Sequence, residues 1–263
     1  MNVMRKILKR WLYGSCPGFA GSFPYFGTAV HFPTHSWSFY AACEQGIFEF
    51  DNVRLLQALI RPGTTMFDVG ANIGLMAIPV LKACPDCRVV SFEPSPNVLP
   101  SLRLTVAGSP FAARWQLVEK ALSAVEGTAE FALSSQAESL FDGLRNTRRA
   151  STSTTVTVPV TTLDSVWNLL GQPEVSVIKC DVEGAEFDVL EGAAECLAAT
   201  GASILVEWNA INLAFYQRAP EALIEFARRA GYRVFTVPRF VEITDPLTLR
   251  LHMIETESFL IAR

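Results

Sequence analysis

The stretch that decides the fold spans residues 64–74 and reads Thr-Thr-Met-Phe-Asp-Val-Gly-Ala-Asn-Ile-Gly. Its apolar first half, which contains Asp68, is typical of a buried strand, and the segment beyond Gly74 is helix-like. Gly70 and Gly74 lack a Cβ atom, so the chain can turn tightly there and approach a ligand closely. A helix that begins after such a turn presents unpaired N–H groups. The stretch therefore predicts the strand, turn and helix of a nucleotide-binding half-sheet.

The acids around this turn indicate which nucleotide it binds. Glu93 follows the next apolar run, where a carboxylate that holds ribose hydroxyls would lie. Dinucleotide-binding turns have the pattern G-x-G-x-x-G, whose middle glycine lets the backbone meet a diphosphate. Asn72 replaces that glycine here, and the carboxylate of Asp68 would repel a diphosphate. S-adenosylmethionine (SAM) carries an ammonium, a sulfonium and a ribose but no phosphate, so the two acids favour SAM over NAD. An ordinary βαβ turn with incidental acids is the remaining alternative.

The composition describes a core-rich chain with few charges. Half of the 263 residues are hydrophobic, 18% are charged and the formal net charge is −4. We expect no nucleic-acid partner, because no run of Lys and Arg accompanies the motifs. We interpret two basic clusters as solvated charge: Arg5-Lys6-Lys9-Arg10 and Arg148-Arg149. No apolar run reaches about 18 residues, which predicts no transmembrane segment. Cys84 and Cys87 lack the second pair of a zinc site, so we expect reduced thiols in a cytoplasmic protein.

The chain divides into two parts by composition. Residues 1–50 are rich in aromatics and punctuated by proline and glycine. We expect them to form an irregular cap that packs on the body and selects the substrate. A short amphipathic helix over residues 3–13 is expected to pack on the body as well; contact with a membrane is the alternative. Trp37 is its best stacking surface for a ring-shaped acceptor; plugging the sheet's flank or a homodimer contact is the alternative role. Residues 51–263 are predicted to form the catalytic domain.

In this second part strands alternate with helices, which predicts a parallel sheet covered on both faces. Residues 134–153 are polar and predicted to be a mobile loop. Residues 156–160 are predicted to be an edge strand because of Pro159.

Several acids close the predicted parallel strands. Right-handed crossovers bring the carboxyl ends of such strands to one rim, where ligands bind at the switch point of the strand order. Clustered carboxylates repel one another, so stability does not explain them and we predict a functional rim. The acids are Asp68, Glu93, Glu119, Asp181 and Glu207.

The second informative stretch is residues 179–186, Lys-Cys-Asp-Val-Glu-Gly-Ala-Glu. Alternation along the strand places Lys179 and Asp181 on one face. Glu183 and Glu186 enter the first turn of the following helix, where the helix dipole favours acids. The pairing of Lys179 with Asp181 at the rim indicates a functional site more than a buried ion pair.

Together the two stretches resemble the FkbM family of SAM-dependent methyltransferases. Residues 68–74 look like the family's D-x-G-A-N-x-G turn, and residues 179–186 look like its K-x-D-x-E-G-x-E signature. Residues 92–94, Phe-Glu-Pro, and residues 46–49, Gly-Ile-Phe-Glu, also fit its pattern. The resemblance implies an α/β class I methyltransferase fold: Rossmann-like, doubly wound, with a mostly parallel seven-stranded sheet and an antiparallel last strand. It also implies O-methylation of a hydroxyl on a sugar or natural product.

Within this interpretation the cofactor residues lie on the first half of the sheet. Glu93 would accept the ribose hydroxyls, and Asp68 would lie near the amino-acid end of SAM. The remaining predicted cofactor contacts are Gly70, Ala71, Asn72, Gly74, Pro94, Glu119, Lys120 and Ala121.

The catalytic candidates lie on the second half. An acceptor hydroxyl needs a base, because its own pKa is far above neutral. Asp181 is the leading candidate, with Glu183 and Glu207 behind it and Lys179 as a charge partner. The three carboxylates could instead hold Mg²⁺ or Ca²⁺, so metal dependence stays open.

Two further functions remain as alternatives. A non-catalytic SAM-binding scaffold of this fold would keep the glycines and Glu93 but would not need Lys179 and Asp181. A nucleic-acid amino-methyltransferase places Asn/Asp-Pro-Pro-aromatic after the fourth strand, where this chain has Asp-Val-Glu-Gly.

Overall fold

The computed structural model describes residues 21–150 and 153–263. The expected helix over residues 3–13 and the basic cluster at residues 5–10 lie outside the described residues. In chain order the described strands are β1 (Gly21–Tyr25), β2 (Thr28–Phe32), β3 (Thr65–Val69), β4 (Arg88–Phe92), β5 (Trp115–Val118), β6 (Ala121–Leu122), β7 (Gly127–Leu133), β8 (Thr154–Thr161), β9 (Val175–Cys180), β10 (Ser203–Glu207), β11 (Arg233–Thr236), β12 (Glu242–Ile243) and β13 (Ser258–Ala262).

The described α-helices follow the same order: α1 (Trp37–Gln45), α2 (Phe50–Leu59), α3 (Ala77–Ala83), α4 (Leu99–Gly108), α5 (Leu163–Leu169), α6 (Glu186–Glu191), α7 (Ala194–Thr200), α8 (Ala210–Phe215), α9 (Ala222–Ala230) and α10 (Pro246–His252). None of these helices is long and apolar enough to span a membrane.

The central sheet has the strand order β12-β11-β13-β10-β9-β3-β4-β5. Strands β5, β4, β3, β9 and β10 are parallel, whereas β13 inserts antiparallel between β10 and β11. The predicted fold class is confirmed, and the short β12 adds an eighth strand to the seven expected. The strand order reverses between β3 and β9, so their carboxyl ends flank the switch point.

Each face of the sheet is buried against helices. The side chains of β3 and β9 are buried at every position, as expected for the centre of a parallel sheet. Alternation sends Met66 and Val177 into one core and Phe67 and Ile178 into the other. The central strands are therefore held on both sides, which fixes their carboxyl ends.

A separate three-stranded sheet has the order β6-β8-β7. The expected edge strand lies in β8, which is its middle strand, so the edge prediction is wrong. Proline is tolerated because at Pro159 only β7 is paired, through Thr128, while the pairing with β6 begins at Val160. Within the predicted loop, residues 136–141 form a short 3₁₀ helix, and residues 151–152 lie outside the description.

The described part of the cap, residues 21–50, is regular where we expected irregular structure. Strands β1 and β2 form a hairpin that α1 follows. The rings of Phe32 and Phe39 stack with centroids 4.0 Å apart, and Phe23 packs on Phe39 at 5.1 Å. The backbone N–H of His31 donates to Thr105 Oγ1 at 2.9 Å, which ties β2 to α4. These contacts place the cap directly on the face of the central sheet that contains Met66.

Candidate active site

A cavity of about 310 Å³ opens at the carboxyl ends of the central strands. It brings together both halves of the predicted site. The predicted residues that line it are Gly70, Ala71, Asn72, Glu93, Pro94, Lys120, Ala121, Lys179, Asp181, Glu183 and Glu207. Asp68, Gly74 and Glu119 were predicted with them but are not among the lining residues.

The glycine turn is shaped by protein contacts. Gly70 has φ +76°, and a Cβ there would lie 1.8 Å from the carbonyl oxygen of Asp181. Gly74 has φ +90°, and a Cβ there would lie 2.8 Å from the ring of Trp115. We expected both glycines to admit a ligand; in the structure the space that a side chain would need is filled by β9's end and by Trp115. Gly70 therefore lets the turn pack beneath Asp181, and Gly74 lets the helix approach the sheet.

Glu93 is fixed by the backbone on both sides of its carboxylate. Asn72 N–H donates to Oε2 at 2.8 Å, and Ser95 N–H donates to Oε1 at 2.9 Å. The first bond requires the left-handed backbone of Asn72, with φ +47°. Burial raises the pKa of Glu93 to about 7 in spite of these two donors, and the side chain lines the cavity. The carboxylate is thus held at the rim with a set orientation.

Lys179 connects the glycine turn to Asp181. Its ammonium lies 2.7 Å from the carbonyl oxygen of Gly70, 3.2 Å from that of Val69 and 3.3 Å from Asp181 Oδ2. Burial lowers the pKa of Lys179, but the carboxylates of Asp181 and Asp68 outweigh that effect and the pKa is raised. Asp68 is fully buried, with Oδ1 4.0 Å from Lys179 Nζ, and burial raises its pKa. Asp68 thus lies behind Lys179, without lining the cavity.

Glu119 has another partner outside the cavity. Arg103 binds both carboxylate oxygens of Glu119, and that contact lowers its pKa. The next two residues, Lys120 and Ala121, do line the cavity. A cofactor contact of Asp68, Gly74 or Glu119 stays a prediction.

Three carboxylates gather on the opposite side of the cavity. One oxygen each from Asp181, Glu183 and Glu207 lies within 4.8 Å of the others. Asn212 Nδ2 donates to Glu183 Oε2 at 3.0 Å and to Glu207 Oε2 at 3.4 Å. Burial and the charge of Asp181 raise the pKa of Glu183 to about 8, and the same two causes raise the pKa of Glu207. Such a cluster can accept a proton or bind a hard cation.

Sequence reasoning missed several cavity residues. Glu49 and Glu257 add two carboxylates to the lining. Glu49 ends the Gly-Ile-Phe-Glu segment, so the family pattern offered a signal for it. We interpreted Arg148 and Arg149 as solvated; Arg148 is exposed, but Arg149 Nη1 lies 2.7 Å from Glu183 Oε2 and lines the cavity. No local pattern distinguishes these two arginines, because the contact depends on the path of the loop.

Comparisons with known proteins show which family the chain resembles. The family model described as "Methyltransferase FkbM domain" matches residues 68–234. The chain is 30% identical over 163 residues to the hexuronic acid methyltransferase AglP of Haloferax volcanii, covering 62% of this chain and 63% of that protein. It is 27% identical over 210 residues to the AMB antimetabolite synthetase AmbE of Pseudomonas aeruginosa, covering 67% of this chain and 10% of that protein. The chain thus spans less than two thirds of the length of either relative.

Solved structures include a similar methyltransferase. The structure of the methyltransferase FkbM from Methylobacillus flagellatus KT has a TM-score of 0.49 and 14% sequence identity, covering 86% of this chain and 54% of that chain. Because the family model covers more than half of the 263 residues, the chain belongs to the FkbM methyltransferase family.

Proposed function

We propose that the chain transfers the methyl group of SAM to a hydroxyl group of a sugar or natural-product small molecule. The observation that carries this proposal is that one cavity is lined both by the backbone-fixed carboxylate of Glu93 and by the cluster of Asp181, Glu183 and Glu207. The first can hold a ribose and the second can remove a proton. A non-catalytic SAM-binding scaffold would need only the first.

The cavity residues fit SAM. The oxygens of Glu93 accept hydrogen bonds, which is what the two hydroxyl donors of a ribose need. Phe92 and Leu122 add apolar surface for a purine beside Lys120 and Ala121. A volume of about 310 Å³ lies at the lower end of the range for small-molecule sites. When bound, SAM supplies a methyl group on a positively charged sulfur.

The cluster then acts on the acceptor. Asp181 accepts the proton of the acceptor hydroxyl as the oxygen bonds to the methyl carbon and the carbon–sulfur bond breaks. Lys179 holds Asp181 in place from below. Positioning supplies much of the rate gain in such a displacement, because the reacting atoms must lie in line.

A divalent cation in the cluster is a specific variant of this proposal. Three carboxylate oxygens within 4.8 Å of one another suit Mg²⁺ or Ca²⁺. In that case Asp181 would be a ligand and the base would lie elsewhere. We further propose a cytoplasmic location and no nucleic-acid partner.

The test is SAM binding followed by turnover. Calorimetry should show SAM binding and no NAD binding. The panel of acceptors contains glucuronic and galacturonic acid, neutral hexoses, hydroxylated natural products and duplex DNA. The two uronic acids are included because AglP is a hexuronic acid methyltransferase. Mass spectrometry with fragmentation should find one added methyl group on a hydroxyl oxygen of a sugar or natural product, and the same assay with EDTA tests the divalent-cation variant. SAM binding without any turnover would favour the scaffold; methylated DNA or bound NAD would contradict the proposal.

A further inference from the structure

Four side chains from distant parts of the sequence form a continuous series of contacts beside the cavity. Trp37 and Phe141 meet edge to face, with ring centroids 5.9 Å apart at 75°. The guanidinium carbon of Arg149 lies 4.6 Å from the centroid of the Phe141 ring. Its Nη1 lies 2.7 Å from Glu183 Oε2. These four residues, which we call the Arg149 clamp, link the cap helix α1 to the segment after β9.

The ion pair of the clamp is shielded from solvent. The side chains of Arg149 and Glu183 are 24% and 8% exposed. A buried carboxyl group needs a hydrogen-bond partner, and Arg149 Nη1 supplies one to Glu183. Lys179 is occupied by the carbonyl of Gly70 and by Asp181. Over residues 21–150 and 153–263, Arg149 is the cation that forms an ion pair with Glu183.

The clamp requires arginine specifically. A planar guanidinium can stack on the Phe141 ring and donate to Glu183 at the same time, whereas a lysine ammonium is a point charge without a flat face. Arg149 Nη1 also lies 3.5 Å from Asn212 Oδ1, so the same group reaches the amide that holds Glu183 and Glu207. Arg149 therefore touches both the loop and the acid cluster.

We propose that Arg149 is a positioning residue for the acceptor: it ties Glu183 to the Phe141–Trp37 pair and so holds the acid cluster and the cap in register. Within residues 21–150 and 153–263, its ion pair, hydrogen bonds and ring contact go to Glu183, Asn212 and Phe141, and not to the glycine turn or Glu93. The role in turnover rests on the proposed function, whereas the contacts of the clamp do not.

The first experiment measures the clamp in the free protein. Acrylamide quenching is measured on the fluorescence of Trp37, which is isolated by subtracting the signal of the same protein with Trp37→Phe. The side chains of Trp115, Trp167 and Trp208 are buried, so their own quenching is small. Arg149→Met and Arg149→Lys should each raise the quenching constant about twofold, because neither residue stacks on Phe141 as a guanidinium does. The matched control is Arg148→Met at the exposed neighbour, which should leave the constant unchanged. Equal constants in all four proteins would contradict the clamp.

The second experiment separates the acceptor from the cofactor. The acceptor probe is glucuronic acid or, where another panel compound turns over faster, that compound. Arg149→Met should raise the acceptor KM and lower kcat, each about tenfold, because the reacting groups are displaced. The SAM Kd should change less than about twofold, because Arg149 does not contact the Glu93 side. Compared with Arg149→Met, Arg149→Lys should bring kcat closer to its wild-type value than it brings KM, since lysine retains the charge beside Glu183.

The outcomes distinguish the two proposals. If the SAM Kd rises as much as the acceptor KM, or Arg148→Met has the effect of Arg149→Met, the positioning role is wrong. If the wild-type protein methylates nothing, the proposed function fails and the acceptor role of Arg149 fails with it. The quenching comparison still confirms or contradicts the clamp in that case.

Discussion

The carboxylates of Glu93 and Glu183 line the same cavity, but different kinds of partner hold them. Glu93 is bound by the backbone N–H groups of Asn72 and Ser95. Glu183 is bound by the side chains of Arg149 and Asn212, which lie 34 and 29 residues away in the sequence. A backbone donor survives most substitutions, whereas a side-chain donor is lost with one. Under the proposed function, we therefore expect the cofactor half around Glu93 to tolerate substitutions better than the acceptor half around Glu183.

The largest effect is expected from Asp181→Asn, which removes the proposed base. Loss of a general base typically lowers turnover about 10²- to 10⁴-fold. The SAM Kd should change little, because Glu93 lies on the other half. The measurement is kcat beside the calorimetric Kd, with Glu257→Gln as the control carboxylate in the same cavity.

The same substitution distinguishes a base from a metal ligand. If Asp181→Asn and EDTA abolish turnover alike, and Mg²⁺ restores the EDTA-treated wild type but not the variant, Asp181 is a ligand of the cation. If turnover survives Asp181→Asn, the base is another carboxylate of the cluster, Glu183 or Glu207.

The sequence predicts the surroundings of Glu93 better than those of Glu183. The turn that holds Glu93 is local, since Asn72 and Ser95 lie within 21 residues of it and the strand ends fix their positions. Alternation along β9 likewise predicted that Lys179 and Asp181 share a face, and they are 3.3 Å apart. The contact of Glu183 with Arg149 could not be predicted, because no periodicity describes the path of residues 134–153.

The same limit explains two site residues that the structure puts elsewhere. Asp68 was predicted from its place near the end of a strand, but its side chain does not line the cavity: Oδ1 lies 4.0 Å from Lys179 Nζ, and Ser91 Oγ donates to Oδ2 at 3.1 Å. Glu119 was predicted because it follows a parallel strand, yet Arg103 of the neighbouring helix binds it outside the cavity. The position of a residue along a strand predicts whether it lies at the carboxyl-end rim of the sheet. Whether its side chain reaches the cavity depends on the residues packed around it.

The second prediction tests the cofactor half through Glu93→Ala. A hydrogen bond to a charged group contributes about 1.5–3 kcal/mol, so loss of the ribose contacts should raise the SAM Kd at least about tenfold. The matched control is Glu130→Ala, an exposed acid that does not line the cavity, and its Kd should stay near that of the wild type. Similar affinities of wild type and Glu93→Ala by calorimetry would refute the ribose assignment.

The third prediction concerns Glu186, a buried carboxylate that does not line the cavity. Its Oε1 accepts N–H groups of Val182 and Gly184 at 2.9 and 3.0 Å, and burial raises its pKa from 4.5 to about 7. The folded protein therefore binds more protons than the unfolded chain between these pH values, and the free energy of unfolding falls as pH rises through them. Glu186→Gln removes this contribution.

The variant should consequently gain stability relative to the wild type as pH rises from about 4.5 to 7. One pKa unit corresponds to about 1.4 kcal/mol, so the difference should grow by about 3 kcal/mol. Urea unfolding of both proteins at several pH values measures it. Glu93 contributes equally to both curves, whereas Glu183 and Glu207 lose the effect of the Glu186 charge on their pKa in the variant. Parallel curves would show that the pKa of Glu186 is the same in the folded and the unfolded protein. Glu119→Gln provides a control of opposite sign, because Arg103 lowers the pKa of Glu119.

The smallest expected effect belongs to Trp37→Ala, which tests whether the cap belongs to the acceptor half. Trp37 lines the cavity and is 47% exposed, so its ring is available to an acceptor. An aromatic stacking contact contributes about 0.5–1.5 kcal/mol, which predicts an acceptor KM about two- to tenfold higher. The SAM Kd should not change.

A point substitution is a sharper test than removal of residues 1–44, because Val30 and Phe39 are fully buried and their loss would expose the core. Leu169→Ala, at an exposed position remote from the cavity lining, is the control. An unchanged acceptor KM would assign the cap to the flank of the sheet and leave substrate choice to the acid cluster and its arginine.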